Sequence, residues 1–277
     1  MKISDVLIDA LEYIKRFNSQ TFVIKFSGEV MSDKKVMDTV AQDLILLSYV
    51  GINPVVLHGG GSEIDSAMKK FGKIPKKVSG LRVTDKETMD IVEMVLVGKM
   101  NTMIVSYINK HGGNAVGLSG KSGNLFIAEK KKSKIDLGQV GTIKKVNTEL
   151  ITSLINKNHI PVISPVGIDK NGESFNINAD TAASELASAL KATKLIILTD
   201  VPGVIDKNGK LIKELSAKEA KKLISKKIAT GGMIPKLESC INAIDNGVEK
   251  SHIIKAEQHA ILEEIFTSTG NGTMIVR

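Results

Sequence analysis

The sequence predicts an α/β fold in which helices alternate with parallel strands. Residues 21–26 and 53–58 are apolar runs of strand length, and residues 34–49 between them are predicted as a helix. A strand, a helix and a second strand in this order form the βαβ unit of a parallel sheet. The chain has 277 residues, 42% of them hydrophobic, which is enough for one large α/β domain or two smaller lobes.

The other elements continue this alternation. A helix is predicted over residues 4–17, with Ser4 as its N-cap, because apolar residues recur there at three- and four-residue spacing. Residues 123–146 are predicted to form a β-hairpin, and a change of character near residue 190 marks the predicted boundary between two lobes. Further helices are predicted near 62–71, 85–110, 148–157, 180–190, 217–225 and 258–267 and around Pro235, and further strands near 114–118, 159–163, 194–198, 250–254 and 272–276.

Composition limits the classes of function. The formal net charge of +8 suits a nucleic acid or an acidic small molecule as partner. The densest run of lysines, at 130–134, has no neighbouring aromatic residue to stack on bases, which disfavours nucleic acid. The single cysteine, Cys240, excludes an internal disulfide and fits a reducing, cytoplasmic location. We expect no signal peptide and no apolar stretch of the roughly 18 residues that span a bilayer.

Three consecutive glycines at 59–61 form the first candidate binding site, between a predicted strand and a predicted helix. Glycine lets a ligand approach the backbone, and the following helix directs free N–H groups at the turn, so the triplet can hold a phosphate or a carboxylate. It lacks the Lys-Ser/Thr of a P-loop, and Ile64 replaces the third glycine of a dinucleotide fingerprint. A tight turn without a ligand is the alternative.

Lys25 lies in an apolar strand that ends in a second turn of small residues, Ser27 and Gly28. A buried lysine is costly unless an anion meets it. If strands 21–26 and 53–58 are neighbours, Lys25 and the triplet face one crevice at the carboxyl ends of the strands, where ligands bind in open α/β sheets. The alternative is a lysine that extends its amine to solvent from the end of the strand.

Arg82 and Asp180 are candidate partners for charged groups. Arg82 lies in a short turn before a predicted helix, and its fork suits a bidentate grip on a carboxylate, although an ordinary surface arginine fits the pattern equally well. Asp180 follows Asn176 at the start of an alanine-rich helix, where it could orient lysines or act as part of a simple cap.

Two turns in the C-terminal part add further candidates. Residues 199–204, which include Asp200, follow a buried strand and could form one edge of a nucleotide pocket. Residues 230–236 join two glycines to Lys236 in the first turn of a helix, where a cation is unfavourable unless an anion lies beside it. Together these residues suit phosphoryl transfer, which depends on positioning and charge neutralisation. No spacing typical of His or Cys metal ligands is present, and structural roles are expected for His58, His159, His252 and His259.

The ordered set of motifs resembles the acetylglutamate kinases of the amino acid kinase family. The likeness covers nearly the whole chain, and the set is far more specific than any single motif. The motifs are His-Gly-Gly-Gly at 58–61, Gly-Leu-Arg-Val-Thr at 80–84, the segments 93–101 and 118–121, Asn-Ile-Asn-Ala-Asp at 176–180, Leu-Thr-Asp-Val-Pro-Gly-Val at 198–204 and Gly-Gly-Met-Ile-Pro-Lys at 231–236.

This resemblance implies an activity and a fold. The activity is ATP-dependent phosphorylation of the side-chain carboxylate of N-acetyl-L-glutamate in arginine biosynthesis, with Mg²⁺ held chiefly by the nucleotide phosphates. The fold is a three-layer αβα sandwich around a mainly parallel sheet. The implied domains are an oligomerisation helix at 1–20, an acetylglutamate-binding lobe at 21–190 and an ATP-binding lobe at 191–277.

The resemblance also implies roles for individual residues. Lys25 and Lys236 would stabilise the transferring phosphoryl group, and Asp180 would organise both lysines. The N–H groups of Gly60 and Gly61 would bind the substrate and the phosphate. Arg82 and Asn176 would bind the carboxylates of acetylglutamate. Gly28 and Asp200 would bind the nucleotide.

Inhibition by arginine is a further implication. In arginine-sensitive members an N-terminal helix interlaces dimers into a hexamer, and the predicted helix at 4–17 resembles that helix. His252, Glu264 and Gly270 match positions that bind the inhibitor, and a glutamate suits a guanidinium group. We therefore expect a homo-oligomer, either a dimer or a hexamer of dimers, that arginine inhibits.

Two departures from the family pattern bear on these expectations. Ser27 replaces a glycine that is usual in the family, as it does in uridylate kinases, and residues 255–257 replace an Asp-Gly-Arg segment. A kinase for uridylate or aspartate is therefore an alternative, against which the setting of Arg82 argues. A nicotinamide-dependent dehydrogenase is disfavoured by the incomplete glycine pattern, and a non-enzymatic nucleic-acid-binding protein by the missing aromatics.

Overall fold

A parallel sheet lies at the centre of the molecule. The computed structural model describes residues 3–28, 30–267 and 270–277. The predicted capping role of Ser4 concerns a side chain outside this description. The strands are β1 (Thr21–Phe26), β2 (Asn53–His58), β3 (Lys77–Val78), β4 (Leu81–Arg82), β5 (Ala115–Ser119), β6 (Phe126–Lys130), β7 (Gly141–Val146), β8 (Ile160–Ser164), β9 (Val166–Ile168), β10 (Ser174–Asn176), β11 (Lys194–Thr199), β12 (Glu214–Ser216), β13 (Lys250–Lys255) and β14 (Thr273–Val276).

Helices occupy the connections between these strands. Several begin at side chains that cap free N–H groups: Asp33 accepts from the backbone of Lys35 and Val36, and Ser216 and Glu219 form a reciprocal capping box. The helices are α1 (Ile3–Phe17), α2 (Lys34–Tyr49), α3 (Gly61–Lys70), α4 (Lys86–Glu93), α5 (Thr102–Lys110), α6 (Glu149–Ile155), α7 (Ala179–Ala189), α8 (Ala217–Ser225), α9 (Met233–Asp245) and α10 (Ala260–Phe266).

The main sheet has the strand order β12-β14-β13-β11-β1-β2-β8-β5 among the described residues. Neighbouring strands are parallel except for the pair β13 and β14. The strands β2, β8 and β5, all before residue 165, lie on one side of β1, and the strands β11 to β14, all after residue 193, lie on the other. The carboxyl ends of β2, β1 and β11 are therefore adjacent, where these two groups of strands meet.

Helices cover both faces of this sheet. Phe22, Ile24 and Phe26 of β1 pack with α2, α3, α5 and α10, whereas Val23 packs on the opposite face with α7, α8 and α9. A strand buried on both faces is an almost continuous apolar run, which is why β1 and β11 were recognisable in the sequence. The predicted three-layer sandwich around a mainly parallel sheet is confirmed.

One long helix differs from its prediction in two ways. Between α4 and α5 the chain continues without a break through a π-helical segment, Met94–Asn101, which the sequence did not predict. By length and composition alone, the whole stretch Lys86–Lys110 could cross a membrane, so the expectation that no stretch meets this criterion was wrong. Its apolar residues, including Leu96 and Ile104, pack in the core under the sheet, which explains the apolar composition.

The predicted hairpin at 123–146 is confirmed as the antiparallel pair β6 and β7. It belongs to a four-stranded sheet of order β10-β9-β6-β7, whose second hairpin, β9 and β10, the sequence did not predict. The small hairpin of β3 and β4, which carries Arg82, was also missed because two-residue strands show no periodicity.

Candidate active site

Lys25, Asp180 and Lys236 form a cluster at the carboxyl ends of the central strands. Lys25 Nζ lies 2.8 Å from Asp180 Oδ1, and Lys236 Nζ lies 3.9 Å from Asp180 Oδ2. One carboxylate therefore lies between two ammonium groups from different elements, β1 and α9. Lys25 and Lys236 are far from Asp180 in the sequence, and the fold brings the three residues together as expected from the sequence.

Strand alternation explains the position of Lys25. Because Val23 faces α7 and its neighbours face the opposite layer, Lys25 also projects towards α7, where it meets Asp180. Asp180 lies in the first turn of α7, which Asn178 caps through Thr181 N. Burial raises the pKa of Asp180, but the charges of Lys25 and Lys236 and the hydrogen bond from Lys25 outweigh it, so this pKa lies below its ordinary value.

The two glycine turns lie against each other beside this cluster. Gly59 N donates to Phe26 O at 2.8 Å, which joins the end of β2 to the end of β1. A Cβ on Gly28 would lie 3.4 Å from Gly61 N and 3.0 Å from Ser62 Oγ. A side chain at position 28 would therefore crowd the glycine triplet and Ser62.

The triplet presents unpaired donors. No side chain caps α3, and within the described chain the N–H groups of Gly60, Gly61 and Ser62 donate to no protein acceptor. A Cβ on Gly61 would have no atom within 4 Å, so this position faces open space. Open space beside free N–H groups at the start of a helix is an anion-binding arrangement.

A third glycine turn precedes Lys236. Gly231 has φ of +54°, in the left-handed region, and Gly232 begins α9 without a capping side chain. Neither glycine would bring a Cβ within 4 Å of another atom. Lys236, with 15% of its side chain exposed, therefore lies near a second uncapped helix start that faces open space.

Ser27 carries a buried hydroxyl that has no partner among the described residues. Its N–H donates to Leu198 O at 3.1 Å, so the β1–β11 ladder continues to this residue and places its side chain on the same face as Lys25. Ser27 Oγ forms no hydrogen bond within the described part of the chain. A glycine at position 27 would give the backbone more freedom, whereas Ser27 adds a polar group beside the cluster.

Arg82 is buried and already engaged, which excludes the ordinary surface arginine. Its guanidinium group pairs with Asp65 of α3, donates to Gly61 O at 2.9 Å, and lies 3.2 Å from Met68 Sδ. Arg82 therefore fixes the carbonyl side of the glycine triplet as well as presenting positive charge. Burial raises the pKa of Asp65, but Arg82 and Lys77 outweigh this and hold it below its ordinary value.

Asn176 is linked to Arg82 through Thr84. Asn176 Nδ2 donates to Thr84 Oγ1 at 3.2 Å, and Thr84 Oγ1 donates to Arg82 O at 2.8 Å. An open cleft of about 930 Å³, lined by Thr84, Gln139 and Ser174 among others, borders this chain of contacts. The cluster of Lys25, Asp180 and Lys236 lies outside that cleft.

Asp200 lies at the same edge of the sheet as the lysine cluster. It follows β11, the strand next to β1, is exposed, and accepts a hydrogen bond from Thr199 Oγ1 at 3.0 Å. Its position therefore suits the edge of a pocket, and no described side chain neutralises it.

The residues predicted to bind arginine form a separate cluster at the opposite edge. His252 Nδ1 lies 2.6 Å from Glu264 Oε1, while Glu264 Oε2 accepts from Asn271 N at 2.8 Å. Gly270, at φ +47°, comes so close that a Cβ would lie 2.9 Å from Glu264 Oε2. A cavity of about 310 Å³ adjoins these residues and extends to Arg16 of α1.

Lys194 completes this second cluster. Its Nζ lies 3.2 Å from His252 Nε2, and burial, helped by the charge of Lys250, lowers the pKa of Lys194 to about 8. Burial also lowers the pKa of His252, although Glu264 opposes the shift. Burial would raise the pKa of Glu264, but the hydrogen bond from His252 keeps it below its ordinary value. A neutral histidine thus donates to a carboxylate and accepts from the lysine.

Sequence reasoning missed the contacts made by Asp65, Thr84 and Lys194. For Lys194 a signal was present: it begins a fully buried strand, and a charged residue within an apolar strand was the pattern that singled out Lys25. Asp65 follows Gly61 by one turn of α3, so it shares a helix face with the triplet. Thr84 gives no comparable signal, because its partners come from distant segments.

The doubly covered parallel sheet, with glycine turns and paired lysines at the carboxyl ends of its strands, defines an enzyme class that transfers phosphoryl groups. The model of the amino acid kinase family matches residues 20–255. Acetylglutamate kinase from Methanocaldococcus jannaschii is 52% identical over 288 residues, covering 99% of this chain and 96% of that protein. The chain belongs to the amino acid kinase family.

Solved structures of N-acetylglutamate synthase from Neisseria gonorrhoeae are also similar. The complex with coenzyme A and N-acetyl-glutamate has a TM-score of 0.91 and 26% sequence identity, covering 100% of this chain and 64% of the synthase chain. The complex with coenzyme A and L-arginine has a TM-score of 0.87 and 25% identity, covering 100% and 66%. This chain thus spans about two thirds of the synthase.

Proposed function

We propose that this chain transfers the γ-phosphoryl group of ATP to the side-chain carboxylate of N-acetyl-L-glutamate, a step of arginine biosynthesis. The observation that carries the proposal is the carboxylate of Asp180 between the ammonium groups of Lys25 and Lys236. The activity is the one named for the relative with 52% identity across almost the whole chain. Charge neutralisation and positioning are the main requirements of phosphoryl transfer.

The reaction needs no protein base. A glutamate side chain, with an ordinary pKa of about 4.3, is already ionised near pH 7 and can attack the γ-phosphorus directly. A new bond forms between a carboxylate oxygen and phosphorus while the bond to the ADP oxygen breaks. Lys25 and Lys236 neutralise the charge on the transferring group, and Asp180 holds both amines in place. Mg²⁺, held chiefly by the nucleotide phosphates, would supply further charge neutralisation.

The glycine triplet and Arg82 act on the acceptor side. The free N–H groups of Gly60 and Gly61 donate to the transferring phosphoryl group and to the substrate. Arg82 and Asn176, joined through Thr84, hold the remaining carboxylate of acetylglutamate. Because Asp65 also pairs with Arg82, this arginine is positioned before substrate arrives.

The C-terminal part of the chain, together with Gly28, binds the nucleotide. Gly28 and Asp200 lie at the strand ends beside the lysine cluster, and the glycine turn at 231–232, before the helix α9 that carries Lys236, faces open space that phosphates could occupy. We assign residues 21–190 to the acetylglutamate-binding lobe and 191–277 to the ATP-binding lobe. This division agrees with the sheet, in which the strands before and after residue 190 lie on opposite sides of β1.

A coupled assay of ADP release tests the activity. N-acetyl-L-glutamate, glutamate, aspartate and UMP are compared as acceptors at equal concentration, and hydroxylamine traps any acyl phosphate as a hydroxamate. We expect ADP and hydroxamate with N-acetyl-L-glutamate alone. Activity with UMP or aspartate, and none with N-acetyl-L-glutamate, would assign the chain to a sibling kinase.

Arginine inhibition of a cytoplasmic hexamer is the regulatory part of the proposal. Helix α1 rests on α10 through Tyr13 and Phe266, whose rings are 6.4 Å apart, so one face docks on its own subunit. Leu7 and Ile8 on its outer side are each 65% exposed, a surface that a second copy of α1 would cover. The cavity between α1, His252 and Glu264 suits arginine, and a similar synthase has been solved with L-arginine.

Truncation tests this regulation. Deletion of residues 1–18 should leave an active dimer that no longer responds to arginine, because both the interlacing helix and one wall of the cavity are lost. Light scattering gives the mass, and the ADP assay with millimolar arginine gives the inhibition. A full-length protein that is dimeric and insensitive to arginine would contradict this part.

A further inference from the structure

His58 is fully buried directly before the glycine triplet and is held from both sides of its ring. His58 Nδ1 lies 2.9 Å from Gly59 O. On the other side, His58 Nε2 lies 3.0 Å from Ser164 Oγ and 3.2 Å from Asn101 Nδ2. From the sequence alone His58 is expected to have only a structural role, yet its Nδ1 contacts the first glycine of the triplet and its Nε2 contacts hold the ring in place.

The contacts determine which ring nitrogen carries the proton. A carbonyl oxygen can only accept, so the nitrogen facing Gly59 O must be Nδ1–H. Nε2 then accepts from the amide group of Asn101 or the hydroxyl of Ser164. Burial lowers the pKa of His58 to about 4, although the bond to Gly59 opposes this shift, so the ring is neutral near pH 7.

The bond to Gly59 O also fixes the next donor. Gly59 C=O and Gly60 N–H belong to one planar trans peptide, in which the two groups point in opposite directions. A glycine peptide has little conformational preference of its own, so its orientation must come from its surroundings. With Gly59 O held towards His58, Gly60 N–H is directed away from it, and no described protein group accepts from that N–H.

We propose that His58 is a positioning residue: its Nδ1–H fixes the Gly59–Gly60 peptide so that Gly60 N–H is aimed at the transferring phosphoryl group. The inference deepens the proposed function and rests on it, because that function places the phosphoryl group at the triplet. His58 itself touches neither substrate nor nucleotide. It acts through the peptide plane next to it.

The π-helical segment Met94–Asn101 packs against Gly60 and against the residues that hold the ring of His58. Leu96 lies so close to Gly60 that a Cβ there would come within 2.7 Å of Leu96 Cδ2, and Ser164 Oγ lies 3.2 Å from Leu96 O. Asn101, at the end of the same segment, donates to Val162 O at 2.9 Å and thereby anchors it to β8. The ring of His58 is therefore held by Ser164 of β8 and by Asn101 of the π-helical segment, which is itself anchored to β8.

Two substitutions of His58 test the hydrogen bonds of its two ring nitrogens separately. His58→Asn places an amide N–H near the position of Nδ1 and keeps the donor to Gly59 O, whereas His58→Gln reaches the position of Nε2 and loses that donor. We expect turnover to fall by about tenfold to a hundredfold in His58→Gln, somewhat less than for direct loss of a preorganised donor. His58→Asn should stay within about fivefold of wild type, and KM for both substrates should change little in either variant.

His159→Gln is the matched control, because His159 directly precedes the amino end of the neighbouring strand β8, away from the glycine triplet. Thermal unfolding of each variant shows whether it is folded. Equal losses of turnover in folded His58→Asn and His58→Gln would overturn the proposal, as would a rise in KM without a loss of turnover.

Nitrogen NMR of the wild-type protein labelled with ¹⁵N-histidine tests the same idea without activity. Two-bond ¹H–¹⁵N spectra should show the neutral Nδ1–H tautomer for His58, unchanged between pH 5.5 and 8. The Nε2–H tautomer, or a protonated ring at neutral pH, would overturn the proposal even in an active enzyme. If the wild type instead fails to phosphorylate acetylglutamate while the Nδ1–H tautomer is present, the proposed function fails and the hydrogen bond stands.

Discussion

Lys25 and Lys194 are buried lysines on the neighbouring strands β1 and β11, but they lie at opposite ends of those strands. Lys194 is aligned with Phe22, three positions before Lys25, so the two amines serve different edges of one sheet. Each has a carboxylate in its cluster, Asp180 for Lys25 and Glu264 for Lys194. Residue types alone would therefore assign the two clusters the same chemistry.

The two clusters differ in how many charged or hydrogen-bonding groups lack a protein partner among the described residues. Around Lys25, two ammonium groups share one carboxylate, so one positive charge is left over, and the free N–H groups of Gly60 and Gly61 lie nearby. Around Glu264, the carboxylate accepts from His252 and from the backbone N–H groups of Asn271 and Gly272. The first cluster is incomplete without an anion, whereas the second is largely satisfied by the protein itself.

The lowered pKa of Lys194 follows from this difference. Lys25 has a carboxylate at 2.8 Å, while Lys194 has a neutral histidine at 3.2 Å and a pKa lowered to about 8 by burial. A buried amine stays charged when an anion compensates the lost solvation, and it releases its proton more easily when none does. The comparison indicates that the active site holds positive charge without a partner, whereas burial lets Lys194 lose its charge above about pH 8.

The largest expected effect is on turnover when either lysine of the first cluster is removed. Lys25→Ala and Lys236→Ala should each lower turnover by on the order of 10²–10³-fold, the loss that follows removal of one preorganised donor. Both variants should fold. Lys221→Ala is the matched control, since Lys221 forms only an exposed pair with Asp245 at 2.8 Å and such pairs contribute little. Near-normal turnover in both active-site variants would contradict the mechanism.

The next effect is on substrate affinity. Arg82→Lys should raise KM for acetylglutamate by about tenfold or more and change KM for ATP little, because a point charge cannot reproduce a bidentate fork. Lys77→Ala is the control, because Lys77 contacts the same Asp65 at 2.9 Å but is half exposed. Equal increases of both KM values in Arg82→Lys would indicate that Arg82 serves the structure of the triplet rather than the substrate.

A pH series tests the second cluster. The pKa of Lys194 is about 8 in the folded state against 10.5 ordinarily, so between these values the unfolded state binds more protons and stability rises with pH. Relative to Lys194→Met, which does not titrate, the unfolding free energy of the wild type should rise by about 2 kcal/mol from pH 7 to pH 10. Urea unfolding at each pH measures this difference. A constant difference would show that Lys194 is not discharged by burial.

The sequence predicted more of the first cluster than of the second. Lys25, Asp180 and Lys236 lie at ends of strands and starts of helices, and a parallel sheet brings such positions to one edge whatever the details of packing. Their proximity is confirmed, while their roles in catalysis stay predictions. The strand and helix order was recoverable for the same reason, because burial on one or both faces leaves a pattern in the chain.

What the sequence did not reveal depends on contacts between distant segments. The pairing of Arg82 with Asp65, and of Lys194 with His252, joins residues whose neighbours in the chain give no sign of each other. The π-helical segment Met94–Asn101 has the same apolar spacing as an ordinary helix, so only its packing under Gly60 and His58 distinguishes it. Such features follow from tertiary packing, which periodicity does not encode.

The smallest effect concerns the hydroxyl of Ser27, the unmet group nearest to Lys25 in sequence. Ser27→Ala removes a buried oxygen that has no partner among the described residues, so the free energy of unfolding of the ligand-free protein should stay the same or rise by up to about 1 kcal/mol. Urea unfolding measures it, with Ser225→Ala as an exposed control that should change stability by less than about 0.5 kcal/mol. If the hydroxyl contacts the bound ligands, the wild type should become the more stable of the two proteins when the ligands are present. A non-hydrolysable ATP analogue with N-acetyl-L-glutamate should therefore stabilise the wild type more than Ser27→Ala. A loss of well over 1 kcal/mol in the ligand-free variant would show that Ser27 has a protein partner, and the contrast between an incomplete and a satisfied cluster would be correspondingly weaker.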